Sequence, residues 1–293
     1  MSGTRRCYNL RVAIALALIS AVFYGVSDYV GGRASRRFPA VLVTLVAEVS
    51  LLGVLLVAVP LIESDGPTDR AMVWGMVGGF TGSLGLIGLY AALSRGNMTV
   101  VAPVTGVVSA ILPVVVGFAT GERPQTIAVI GIVAAIVAVS LIGGLLGIAG
   151  QHVKMRTIWL AAGVGCAFGT MFVAYARAGD DAGLWPLLFS RFAGIPLVCV
   201  AFIWQRRRSG PFLIDRGVLL PGVFVGGFVL IANGAYLIAA REGLLTVVAA
   251  IGSMYPASTI VLASTLDGER ASRSQLVGML VAAGAVIAII LGS

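Results

Sequence analysis

The segment LSRGNMTVVAPV, residues 93–104, recurs in a similar form as AREGLLTVVAAI, residues 240–251. The two copies align without gaps at an offset of 147 residues. At the same offset, Gly121-Glu122-Arg123 matches the Gly-Glu-Arg of residues 268–270. This shared offset indicates that one long segment occurs twice in the chain, so the fold is that of a duplicated unit.

The composition of the chain indicates a membrane protein. Of its 293 residues, 59% are hydrophobic and 11% are charged, whereas soluble domains are about 45–50% apolar and about 25% charged. The net charge of +8 comes almost entirely from arginines between apolar runs. We expect these arginines to contact lipid headgroups at the ends of the apolar runs. The sequence has no basic stripe with interleaved aromatic residues, so nucleic-acid binding is disfavoured.

Ten apolar runs are long enough to cross a bilayer, which takes about 20 residues. They lie near residues 11–31, 40–62, 71–93, 98–119, 125–147, 157–178, 184–205, 217–240, 244–265 and 274–292. The sequence therefore predicts an all-α integral membrane protein of two five-helix repeats, residues 1–150 and 151–293. Because five is odd, the second repeat enters the membrane from the opposite side, which is the inverted-topology arrangement of many secondary transporters.

The ends of the two repeats carry a resemblance to a known family. The segments 112–142 and 255–290 each show a proline, an apolar helix, Gly-Glu, a short turn and a glycine-containing last helix. Together with YGVSDYVGGRASRR, residues 24–37, they resemble the EamA-type ten-helix members of the drug/metabolite transporter superfamily. Two positions depart from the pattern: Ser109 stands where the counterpart of Pro256 is expected, and Glu48 replaces an arginine of many relatives.

The resemblance implies a multi-pass transporter of the cell membrane with both termini in the cytoplasm. It implies a small-molecule substrate, such as an amino acid, another metabolite, a drug or a sugar-phosphate-like solute. It implies no cofactor, and the chain has no Walker motif for ATP. The sequence does not set the oligomeric state.

Three charged residues lie inside apolar runs: Asp28, Glu48 and Arg191. A charge at the bilayer centre costs about 2.5–3.5 kcal/mol on insertion scales, so such groups usually face a partner or an aqueous cavity. Glu48 aligns with Arg191 at an offset of 143 residues, which places opposite charges at similar depth. Three interpretations are open: a buried ion pair that links the halves, a pair that acts as a gate, or Arg191 as an anchor for a substrate carboxylate with Glu48 as a proton-binding group.

Asp28 offers two interpretations of its own. With Tyr24 and Ser27 it could form a polar patch on the wall of a cavity. Alternatively, it pairs with Arg33 or Arg36 at the end of the first helix.

Prolines predict interruptions in the fourth and ninth spans. Pro103 and Pro113 lie in the fourth span and Pro256 lies in the ninth. Interrupted helices at corresponding positions are a sequence sign of a transporter binding site. Polar residues near these breaks or within the eighth span could bind a substrate: Ser109, Asn233, Ser253 and Tyr255. They could equally join helices, at about 0.6 kcal/mol per hydrogen bond.

These features favour a secondary transporter that exports a small polar or amphipathic metabolite, amino acid-like or drug-like, by alternating access. We expect a central cavity lined chiefly by the first, third, fourth, sixth, eighth and ninth spans. A non-transporting scaffold or a lipid-handling protein is the alternative. An enzyme or a metal site is disfavoured, because His152 is the single histidine and the three cysteines lack CxxC spacing.

The repeated Gly-Glu-Arg is most consistent with a turn at the membrane surface. Pro124 suits a first helical turn, and Ser272 or Ser274 could cap the last helix. Since five helices separate the copies, Glu122 and Glu269 are predicted to lie on opposite faces of the membrane.

Overall fold

The computed structural model describes residues 2–93, 98–142, 155–209, 216–267 and 272–292. These residues form helices, and no strand occurs among them. The helices are α1 (Ser2–Ser35), α2 (Ala40–Leu61), α3 (Asp69–Leu93), α4 (Met98–Ala119), α5 (Thr126–Ile142), α6 (Met155–Arg177), α7 (Trp185–Ser209), α8 (Arg216–Glu242), α9 (Leu245–Gly252), α10 (Tyr255–Leu266) and α11 (Arg273–Leu291).

The helices have the length and surface of membrane spans. Eight spans in the described residues are long and apolar enough to cross a bilayer, with α9 and α10 together counted as one, and 104–119 and 126–142 are shorter apolar helices. Large apolar side chains point outward, among them Val57, Trp159 and Leu280 with exposed fractions of 65%, 71% and 74%. Such side chains are stable on a surface only where lipid replaces water, so this is a multi-pass membrane protein.

Helices of the first half pack mainly against helices of the second half. Each major contact between two helices has a matching contact between their counterparts, which lie five spans away in the other half. Thus α1 packs on α8 as α6 packs on α3, and α2 packs on α8 as α7 packs on α3. Likewise α4 packs on α6 as α9 and α10 pack on α1, while α5 and α11 pack on each other. The two halves are therefore interlocked.

Glycines set the distance between these helices at matching positions. A Cβ on Gly79 of α3 would lie 1.8 Å from the Ser190 carbonyl oxygen of α7, and one on Gly226 of α8 would lie 2.5 Å from the Ala47 carbonyl oxygen of α2. Neither position accepts a side chain without moving a helix. These contacts agree with the close approach that small residues allow between membrane helices.

The ninth span is broken and the fourth is not. Pro256 lies in the first turn of α10, and the chain turns at Ser253 and Met254 between α9 and α10. In contrast, α4 continues as one helix through Pro103 and Pro113, so the interruption predicted there is wrong. A Cβ on Gly169 would lie 3.4 Å from the Ser109 carbonyl oxygen, so α6 packs closely beside the carbonyl freed by Pro113 and supports the helix there.

One face of the molecule is held together by hydrogen bonds between its loops. We call it the double-loop face, because it is formed by residues 62–68 and 178–184. Two contacts join the halves: Asp65 N to Asp181 O at 3.1 Å and Arg70 Nε to Arg177 O at 2.7 Å. Within the second half, Arg241 holds the loop 178–184, with its Nε 3.0 Å from Gly179 O and a terminal nitrogen 2.8 Å from Gly183 O. On the opposite side of the molecule, at the C-terminal ends of α1 and α10, Arg33 forms an ion pair with Asp267.

The first Gly-Glu-Arg copy does more than form a turn. The Glu122 carboxylate accepts hydrogen bonds from the backbone N–H groups of Leu245 at 2.8 Å and Thr246 at 2.9 Å. Because Leu244 offers α9 no side-chain cap, a carboxylate from the other half satisfies the first turn. Glu269 lies outside the described residues, so the predicted placement of Glu122 and Glu269 on opposite faces stays a prediction.

The caps predicted next to the two copies are partly right. Ser272 caps α11, accepting from Gln275 N in a capping box. Pro124, however, precedes α5, which begins at Thr126. The expected role of Pro124 in the first helical turn is therefore wrong.

Candidate functional site

A partly enclosed cavity lies between helices of the two halves. It contains about 520 Å³ of space, counted out to its open mouth. The lining residues are Tyr24, Ser27 and Asp28 of α1, Glu48 of α2, Gly82, Ser83 and Leu86 of α3, Phe168, Met171, Phe172 and Tyr175 of α6, Arg191 of α7, Val229 and Asn233 of α8, and Tyr255 of α10. Both halves thus contribute polar groups and aromatic rings.

Seven of the eleven predicted site residues line the cavity. The four that do not are Ser109, Pro113, Ser253 and Pro256. The Ser109 and Ser253 hydroxyls donate to their own helices, at Gly106 O and Ala250 O, both at 2.9 Å. The predicted set of lining helices was also wrong in part, because α2 and α7 line the cavity and α4 does not.

Glu48 and Arg191 meet in a buried ion pair on the cavity wall. The guanidinium contacts Glu48 Oε2, and the two side chains are 5% and 4% exposed. Ser83 donates to the other carboxylate oxygen at 2.7 Å, while the Ser190 hydroxyl lies 3.0 Å from Arg191 Nε and 2.7 Å from a terminal nitrogen. Such satisfied geometry is what allows a desolvated pair to persist.

Asp28 is buried and unpaired. Its exposed fraction is 8%, and its carboxylate forms no hydrogen bond or ion pair with the described part of the chain. Arg33, one of its two expected partners, instead pairs with Asp267. Near Asp28, Tyr24 donates a short hydrogen bond to Asn233 Oδ1. The interpretation of Asp28 as part of a polar cavity wall therefore fits the structure better than a helix-end ion pair.

Sequence reasoning missed the aromatic side of the cavity. Phe168, Phe172 and Tyr175 follow one another at helical spacing on α6 and face inward. The Tyr24 ring lies edge-on to Phe172 with centroids 5.8 Å apart, and edge-on to Tyr255 at 6.4 Å. In a span that is apolar all round, this spacing carries no polar contrast to mark the inward face.

Comparison with protein families decides the identity. The model of the EamA-like transporter family matches the chain twice, over residues 11–144 and 155–291. The chain belongs to the EamA-like transporter family. This EamA-like protein is accordingly a membrane transporter of the drug/metabolite transporter superfamily and not an enzyme.

Solved structures support the fold of this EamA-like protein. Sixteen chains of known structure match it. One of them, titled only as the crystal structure of a protein, has a TM-score of 0.74 at 16% identity, over 95% of this chain and 96% of that one. A comparison with the sequences of curated proteins gave no match.

Proposed function

We propose that this EamA-like protein is a secondary transporter that exports a small polar or amphipathic metabolite, amino acid-like or drug-like, through its central cavity. The observation that carries the proposal is the cavity itself, which lies between the two family-matched segments and takes lining residues from both. Its ion pair joins α2 of the first half to α7 of the second. A site between repeats is where a transporter of this architecture binds its solute.

We further propose ten spans in two inverted-topology repeats, residues 1–150 and 151–293. The paired contacts between helices support this arrangement, because exchange of each helix with its counterpart reproduces the pattern. The matched glycine contacts at Gly79 and Gly226 support it independently. With an odd number of spans in each repeat, the second copy runs through the membrane in the opposite sense.

Alternating access then follows from rocking of the interlocked halves about the cavity. The loop contacts of the double-loop face and the Glu122 cap on α9 hold one side together, and the Arg33–Asp267 pair joins two helices on the other. Opening toward one side breaks one set of contacts while the other set stays formed. We propose that both termini lie in the cytoplasm and that the proton is the coupling ion.

Flux through liposomes tests the proposal. Purified protein is reconstituted, and vesicles are loaded with pooled labelled amino acids and amphipathic cations, with and without a pH gradient. We expect at least one solute to leave faster than from protein-free vesicles. Vesicles carrying Arg207→Gln, which alters an exposed cation at the end of α7, should match the wild type. Absence of flux across the panel would contradict transport and favour the scaffold or lipid-handling alternative.

A further inference from the structure

We infer that the cavity binds an organic monocation through the Asp28 carboxylate, and that a proton competes with this cation for the same carboxylate. The inference rests on the proposed function, because it names the class of solute that the cavity takes. It concerns the charge balance and the aromatic lining of the cavity.

The charged groups of the cavity leave one negative charge without a partner. Three charged side chains line it, Asp28, Glu48 and Arg191. Glu48 and Arg191 neutralise each other. Asp28 is 8% exposed, and its carboxylate forms no hydrogen bond or ion pair with the described residues. A carboxylate held away from water without a counter-charge is strongly disfavoured. Asp28 therefore binds a cation or carries a proton.

The lining around this charge favours an organic cation over an inorganic one. Tyr24, Phe172 and Tyr255 meet edge to face on the wall, and aromatic faces attract weakly hydrated cations such as alkylammonium groups. Tyr175 and Tyr255 also line the cavity, and their hydroxyls are buried. A small metal ion requires a shell of oxygen ligands, and most of this lining is apolar.

The same cavity disfavours an anion or a zwitterion in this conformation. Arg191 is its cationic side chain, and three of its nitrogens already contact Glu48 and Ser190. A substrate carboxylate would have to displace Glu48 and strand that charge. The role of carboxylate anchor that the sequence suggested for Arg191 is thus not open to it here.

Asp28 is also the group in the cavity whose charge a proton would change. The ionisable groups that face it are Tyr24 of α1, Tyr90 of α3, Tyr255 of α10, and the paired Glu48 of α2 and Arg191 of α7. Phenols are neutral at ordinary pH values, and α8 contributes the uncharged Asn233. Bound cation and bound proton consequently exclude each other at one carboxylate, which is the requirement for exchange of one for the other.

Calorimetric titration of the full-length protein in detergent micelles tests this inference. The probe is benzyltrimethylammonium, with phenylacetate as an anion of similar size and sodium chloride as the inorganic arm. We expect the organic cation alone to bind, and Asp28→Asn to weaken its binding by at least about tenfold. Glu63→Gln, which neutralises an exposed acid outside the cavity, should bind as the wild type does.

A measurement on the unmodified protein covers the case in which Asp28→Asn does not fold. The affinity of the wild type should fall as the pH is lowered from about 8 to about 5, and titrations in buffers of different ionisation enthalpy should show proton release on binding. Each of four results would overturn the inference. They are unchanged affinity in a folded Asp28→Asn protein, no proton release on binding, binding of phenylacetate as tight as that of the cation, and no binding of the cation. Flux of neutral or anionic solutes without cation binding would overturn the inference about the cation and leave the proposed transport function intact. Cation binding without any flux would support the inference and contradict the proposed transport function.

Discussion

At the scale of single residues, the Glu48–Arg191 pair shows how this protein tolerates charge inside the membrane. Each charged group is satisfied twice, by the other and by a serine, which is Ser83 of α3 for Glu48 and the preceding residue Ser190 for Arg191. Replacing both members of such a pair with apolar groups is often neutral, whereas removing one member strands the other.

The effects of the two single substitutions on stability should therefore not add up in the double variant. We expect Glu48→Met and Arg191→Met each to destabilise the protein by about 3–5 kcal/mol, and the double variant to recover much of that loss. Apparent melting temperatures in detergent, measured by scanning fluorimetry, check this. If the double variant melts below the wild type by the sum of the two single effects, the two side chains are not coupled.

At the scale of helices, adjacent glycines on α8 provide a matched pair of positions. A Cβ on Gly226 would lie 2.5 Å from the Ala47 carbonyl oxygen of α2, whereas one on Gly227 would meet nothing within 4 Å. We expect Gly226→Ala to lower stability by about 1–3 kcal/mol through overpacking. Gly227→Ala should be neutral or stabilising by up to about 1 kcal/mol, because alanine favours the helix.

Thermal melting of the two α8 variants decides the matter, and Gly79→Ala serves as a third point. Gly79 occupies the corresponding place on α3, where a Cβ would lie 1.8 Å from Ser190 O. It should resemble Gly226→Ala. Equal melting temperatures for Gly226→Ala and Gly227→Ala would show that the α2–α8 distance is not set by glycine.

The helices also show what the sequence could and could not predict. Apolar runs of spanning length indicated the ends of most helices, because lipid forces every backbone group in such a run into a helix. The break at Pro256 was predicted correctly, but the same reasoning failed at Pro113, since the effect of a proline depends on the helix packed beside it. Asp28, Glu48 and Arg191 were predictable because charge is rare in a span, whereas Phe168 and Phe172 resemble any lipid-facing residue.

At the scale of the whole molecule, the proposed alternating access requires the double-loop face to separate. A Cβ on Gly183, which has a φ of 48°, would lie 2.8 Å from Ser64 Cβ, so the two loops must move apart by about 1 Å to reach the separation of about 3.5–4.5 Å in a disulfide. In a background free of the native cysteines, Ser64→Cys with Gly183→Cys should form a disulfide on oxidation. We expect oxidation to abolish flux of the transported solute and a reductant to restore it.

The controls for this cross-link are the two single-cysteine variants, oxidised in the same way, which should transport as they do before oxidation. Mass spectrometry of the digested protein establishes that the disulfide has formed. Full flux through the cross-linked protein would mean that this face does not open during transport, and the proposed mechanism would be wrong.

The buried ion pair has a consequence for the history of the chain. If the two halves descend from one five-helix ancestor that paired with an inverted copy of itself, the positions of Glu48 and Arg191 once held the same residue. Two glutamates or two arginines facing each other at that depth would repel strongly. The opposite charges therefore arose after the gene was duplicated and the two copies could diverge. A chain assembled from two first halves would bury two carboxylates without a counter-charge, so each half now depends on the other.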